Sequence, residues 1–240
     1  MKLDGAKRFY KHAETTQSDD AYGVALDGRA VRTPAGAELQ LPNQSLADAI
    51  CAEWQAQGDK IEPNSMPLMQ LACTTIDRVI PNRADIITEI AGYAASDLLC
   101  YRSEGPEDLV ERQAQTWQPL LDWSQAVFAA PLVIATGIVH ISQPSSSLDA
   151  FLDVLTGLDD WELTAAAQMT QIMGSLVLAL AVTHQHLTWQ EAFKASVLDE
   201  LFQAERWGED REAVQKQAAA KQEIRWAATF HQLLGTSKPR

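Results

Sequence analysis

A chain of 240 residues lies near the upper limit for a single hydrophobic core, so one large domain and two smaller ones are both open. With 46% hydrophobic residues, 12 Gly and 10 Pro, it has the material for a packed core and lacks the composition of a disordered chain. Nineteen Lys and Arg against 32 Asp and Glu leave a formal charge of -13, the wrong sign for affinity built on neutralising phosphates, which argues against nucleic acid as a partner.

The start, Met1-Lys-Leu-Asp-Gly-Ala-Lys-Arg-Phe-Tyr, has no apolar signal core and no long Arg- and Ser-rich leader, so the expectation is a cytoplasmic or already processed protein. Tyr22, Val24 and Leu26 alternate with small or polar residues and run into Asp27-Gly28, a type I′ hairpin signal. A second turn at Pro34-Ala-Gly36 leads to Leu39 and Leu41. From Ser45 the period becomes helical, with Leu46, Ile50 and Trp54 four apart, Asn43 or Ser45 as N-cap, and Gly58 as the expected stop. The sequon at Asn43-Gln44-Ser45 is read as a cap rather than a glycosylation site.

Helices are expected over 68–79 and 84–94, with Pro81-Asn82 between them, and a returning strand over 97–101. After Gly105-Pro106 the spacing of Val110, Ala114, Trp117, Leu121 and Phe128 is helical. A strand is expected over 137–141, then helices over 146–155, 160–182 and 188–206, the last closed by Gly208. Glu209-Asp210 suits the positive end of a final helix running towards Leu234. The fold class expected is α+β: a small strand-rich N-terminal domain, 1–104, and a helical C-terminal domain, 105–240.

Motifs for chemistry are sparse. No phosphate-binding glycine pattern is present, and no G-x-S-x-G, S-x-x-K or H-E-x-x-H. His184 and His186 are two apart, which separates them around a helix instead of aiming both at one metal. Asp159-Asp160 reads as a helix start, and Cys51, Cys73 and Cys100 as free thiols. The expectation is no catalytic residue, no metal and no cofactor. The most apolar run, 173–182, is about half of a membrane span.

Tryptophan is the informative excess. Trp54 and Trp117 lie on the apolar stripes of their helices and are expected to be structural, while some of the others could serve as interface anchors. Along Ser196-Val-Leu-Asp-Glu-Leu-Phe-Gln-Ala-Glu-Arg-Trp-Gly208, Glu200 stands at the edge of an apolar stripe that includes Val197 and Leu201. Spacing leaves two readings even: an ordinary surface carboxylate, or a charge facing a partner.

At these residues the chain resembles the family of F1-ATPase assembly chaperones that handle the alpha subunit. The stretches that carry the resemblance are Arg8-Phe-Tyr-Lys11, Ala52-Glu-Trp-Gln-Ala-Gln57, Asp97-Leu-Leu-Cys-Tyr-Arg102, Pro106-Glu-Asp-Leu-Val-Glu-Arg-Gln113, Trp117-Gln-Pro119 with Asp122-Trp123, and Glu200-Leu-Phe-Gln-Ala-Glu-Arg-Trp-Gly208. What it implies is a chaperone without enzymatic activity or cofactor, monomeric when free, that binds the unassembled alpha subunit and shields the surface that beta will occupy. It further implies that Glu200 matches the family's acidic position, and that Gln203, Glu205 and Trp207 belong to the same partner-binding segment. Mitochondrial members of the family carry a leader ahead of the Arg-Phe-Tyr-Lys stretch, which here starts at residue 8, so the resemblance implies a bacterial cytoplasmic protein, or a mitochondrial matrix protein if eukaryotic and processed. The alternatives are an enzyme with a carboxylate-lined cleft and a scaffold that stays in the finished complex.

Overall fold

The computed structural model describes residues 5–18 and 21–235. The chain packs into two compact units, one from 5–83, 160–165 and 229–235, the other from 84–159 and 166–228. The expected cut at Gly105 concerns which segments fold apart, which packing alone does not decide, and it stands as a proposal for limited proteolysis.

In the first unit, β1 (Ala13–Gln17), β2 (Tyr22–Leu26) and β3 (Arg29–Ala30) form an antiparallel sheet in that order. The hairpin between β2 and β3 turns at Asp27 (φ 48°) and Gly28 (φ 77°), the two positive angles of the expected I′ turn. Against the sheet lies α1 (Gln44–Gln55), whose N-cap is Asn43: its Oδ1 accepts from the Leu46 N–H at 2.9 Å. The expected stripe is the core, with Leu46 and Ile50 at 0% exposure and Trp54 at 2%. The helix ends at Ala56, before Gly58, because Gln57 turns the chain: its side chain bonds the Glu53 carbonyl, the Ser65 hydroxyl and the Glu62 N–H. The stretch Arg8-Phe-Tyr-Lys11 belongs to this packing, for the Tyr10 hydroxyl donates to the Trp54 carbonyl at 2.6 Å and Arg8 donates to the carbonyls of Tyr10 and Lys11.

The helix expected over 68–79 is α2 (Pro67–Thr74), continued by a π-helical turn, Thr75–Val79. Glu53 fixes its start, accepting from the N–H groups of Leu68 and Met69 at 2.8 and 2.9 Å. Burial outweighs those bonds and pushes the Glu53 carboxyl up to about 7.

The second unit holds α3 (Arg83–Gly92, from its second residue), α4 (Glu107–Phe128), α5 (Ser145–Gly157), most of α6 (Asp160–Met173), α7 (Leu176–Thr183), α8 (Trp189–Ser196), α9 (Leu198–Trp207) and most of α10 (Arg211–Leu234). Between α3 and α4, the strand expected over 97–101 is instead a 3-10 turn, Leu98–Cys100, followed by the two-residue β4 (Tyr101–Arg102). Its partner is β5 (Ala135–Thr136), parallel to it and short of the strand expected over 137–141.

The helix expected over 160–182 is broken at Gly174 and Ser175. Gly174 (φ 67°) takes the left-handed conformation that ends α6, and the Ser175 hydroxyl caps α7 at Leu178. The cause is Asp97, fully buried, which accepts from the N–H groups of Leu99 and Val177 at 3.1 Å each and so ties the 3-10 turn to the start of α7. Burial pushes this carboxyl up to about 6. The helix expected over 188–206 is likewise two, α8 with a Thr188–Glu191 capping box and α9, parted at Val197.

Candidate functional site

The segment singled out by its stripe is α9, but the expected stripe is not its buried side: Val197 precedes the helix, Leu201 is exposed, and Leu198 and Phe202 form the inner side, which is held by α4. Phe202, 2% exposed, lies under two guanidinium groups, those of Arg112 and Arg206 at 5.1 and 4.6 Å from its ring centre. Each arginine also binds a carboxylate across the pair: Arg112 donates to both oxygens of Glu205 at 2.9 Å, and Arg206 pairs with Asp108. Deeper in, Gln113 of α4 donates to Asp199 of α9 at 2.8 Å and accepts from the Ser103 N–H, while its backbone carbonyl accepts from Arg102. Trp117, 1% exposed, donates from Nε1 to the Ala195 carbonyl at 2.9 Å and carries Arg102 on its ring.

That clasp decides which residues point outward. Glu200, Gln203 and Trp207 stand at i, i+3 and i+7, so they share one face of α9, and all three are exposed. Neither the Glu200 nor the Gln203 side chain makes a hydrogen bond or ion pair among the described residues. Trp207 is 75% exposed, and Gly208 (φ 88°) ends the helix directly after it. Glu205 is not part of this face. It lies on the flank of α9 in its ion pair with Arg112, a partner about a hundred residues away in sequence that no spacing argument could have supplied.

The other candidates take structural places. His186 stacks on Trp123 with centroids 4.6 Å apart, and His184 closes α7 with Nδ1 2.9 Å from the Leu180 carbonyl. Asp160 opens α6 and accepts from Arg83 at 2.7 Å. Among the described residues no cluster of three or more His, Cys, Asp or Glu could hold a metal ion, and no helix is long and apolar enough to cross a membrane. The three thiols are unpaired, with burial pushing those of Cys73 and Cys100 up to about 12. A groove of about 850 Å3 lies in the first unit; its charged lining residues are Arg29 and Arg32, without the carboxylates that an acid–base cleft needs.

The fold and the sequence together match Atp12 from Paracoccus denitrificans, 37% identical, with 95% of this chain and 98% of that one aligned at a TM-score of 0.92. The chain belongs to the ATP12 chaperone family. A point mutant of the Paracoccus protein, with lysine replacing an aspartate, matches equally at a TM-score of 0.92. An Agrobacterium tumefaciens protein described as a chaperone is also 37% identical, at a TM-score of 0.91 over 95% of this chain and 86% of that one. The mitochondrial protein atp12 of Schizosaccharomyces pombe is 22% identical over 214 residues, covering 84% of this chain and 74% of the yeast protein. The family description itself, ATP12 chaperone protein, is matched over residues 7–125, and α9 lies beyond that stretch. The ATP12 family is the one that the sequence resemblance named, so the chain is a chaperone of ATP synthase assembly and not an enzyme.

Proposed function

We propose that the chain holds the unassembled alpha subunit of the F1 sector through the outer face of α9 and covers the surface that the beta subunit later takes. The observation that carries this reading is a helix fixed on its inner side and left open on the other, where a largely exposed Trp207 stands beside the unpaired Glu200 and Gln203. Tryptophan is enriched among residues that anchor protein interfaces, and a free carboxylate beside it adds selectivity for a basic group. An alpha subunit awaiting beta exposes a large apolar interface, an aggregation hazard until it is covered. Release follows displacement by beta and consumes no nucleotide at the chaperone. The free protein is monomeric and works in the bacterial cytoplasm, or in the mitochondrial matrix if the gene is eukaryotic and the product is processed.

The test is Glu200→Lys, compared with the parent chain by thermal melt and by light scattering of purified alpha subunit. The expected result is an unchanged melt, because the position is exposed, and alpha that aggregates as it does without chaperone. Full protection by the variant would remove Glu200 from the site, and a failure of the parent chain to protect alpha would overturn the proposal.

A further inference from the structure

The groove of the first unit is the candidate that α9 does not account for. Its walls are apolar, from Ile61, Met66 and Met69 to a Phe9 ring that is 59% exposed, and methionines suit a surface that must fit more than one side chain. Trp54 lines it too, and its buried Nε1–H has no acceptor. Arg32 is engaged with Glu38 at 3.4 Å and the Gly36 carbonyl at 2.9 Å, whereas the Arg29 side chain makes no hydrogen bond or ion pair among the described residues. The rim thus offers a free cation in a chain of net charge -13.

The register of the sheet adds a direction. Val31 donates to the Val24 carbonyl at 2.8 Å, while Ala30 sits opposite Ala25. In an antiparallel pair the bonding residues alternate, so the N–H and C=O of Ala30 point away from β2; from Val31 on that side is taken, with Leu39 donating to the Val31 carbonyl and Thr33 to the Ala37 carbonyl, which leaves Ala30 as its unpaired position. Ala30 lines the groove. One unpaired N–H and C=O beside apolar walls can hold an extended peptide by a single pair of main-chain bonds, the local form of strand addition.

We infer that this groove takes an extended apolar segment of the client protein, paired with the edge at Ala30 and placing an acidic residue on Arg29. A small amphiphilic acid would satisfy the arginine and the apolar walls but would leave the strand edge unused. The inference rests on the proposed client, the F1 alpha subunit, and gives it a second point of attachment.

The experiment uses the full chain and purified alpha subunit, with Phe9 replaced by the photo-cross-linker benzoylphenylalanine, and with two further variants. Arg29→Glu reverses the rim charge, and Ala30→Pro removes the outward N–H without touching the β2 ladder; each should weaken alpha binding at least about tenfold with an unchanged melt. Arg29→Glu keeps the test valid should the proline variant misfold. The expected cross-link maps to an apolar stretch of alpha next to an Asp or Glu. Cross-linking to a second copy of this chain instead, or tight binding of dodecanoate that leaves alpha bound, would overturn the inference. If alpha binds the parent chain and both variants equally, the groove is not used and the proposed function stands. If alpha does not bind the parent chain at all, the function falls and the inference falls with it.

Discussion

Helices α1 and α9 both carry a tryptophan near their C-terminal end, and the two are used in opposite ways. In α1 the stripe of Leu46, Ile50 and Trp54 is withdrawn from water almost completely. In α9 only Leu198 and Phe202 go under, and Trp207 stays outside at 75% exposure. The difference lies in what the rest of the chain supplies, since Trp54 meets the Tyr10 ring edge-on at 5.7 Å and the walls of the first unit. Composition marks tryptophan as important in both places; only packing says whether the protein keeps it or presents it.

The contrast breaks most readily at Trp54. Trp54→Arg leaves a cavity and an unpaired charge in the core, at a cost on the order of 3 to 5 kcal/mol or more, enough to unfold a marginal domain. The variant should be recovered insoluble or without a cooperative melt. A native melt would mean that the first unit tolerates what its burial forbids.

Phe202→Ala tests the inner side of α9 in the same way and should cost about 3 kcal/mol, since both arginines lose the ring they cover. The expected readout is a melting temperature lower by several degrees, with alpha binding weakened as well because α9 loses its seat.

Acidity gives a smaller, graded effect. Burial raises Glu53 from 4.5 to about 7 and Asp97 from 3.8 to about 6. In both windows the folded state binds more protons than the unfolded one, so stability falls as pH rises through them, and these two groups favour the fold near pH 5 over pH 8. For Glu53, which keeps some contact with water, the effect is no more than about 2 kcal/mol. Glu53→Gln should flatten the melting temperature between pH 4.5 and 7, while lowering the whole curve through the loss of one acceptor for the Leu68 and Met69 N–H groups. An unaltered pH profile would show that Glu53 is ionised in the fold throughout.

The smallest effect on stability belongs to the presented side. Trp207→Ala should change the melt by no more than about 0.5 kcal/mol. Iodide quenching of the tryptophan fluorescence should fall in the variant, because the more accessible ring is gone, and alpha protection should be lost. A large drop in stability would mean that Trp207 has an unseen structural partner.

Much of this was legible in the sequence where the determining contacts are local. Asp27-Gly28 specifies its turn by backbone angle, and Leu46, Ile50 and Trp54 specify a buried face by spacing. Gly208 marks its stop, and Asp210 caps α10 through a bond from the Ala213 N–H at 3.1 Å. The breaks were less legible because their causes come from far along the chain. Asp97 reads as the head of an apolar strand until Val177, eighty residues on, is seen donating to it. The face of α9 was half legible: helical phase groups Glu200, Gln203 and Trp207, but nothing near Glu205 announces that Arg112 will draw it aside.

The clasp of Arg112 and Arg206 over Phe202 also bears on how quickly and how long a client is held. A helix already immobilised loses little conformational freedom when something lands on its outer face, so the entropic cost of association falls mainly on the client. If the proposed face is the one used, the exposed Trp207 and Glu200 are a preset template, and variation there should be felt chiefly in the lifetime of the complex. Loosening the clasp, by contrast, would make every encounter wait for α9 to be re-ordered.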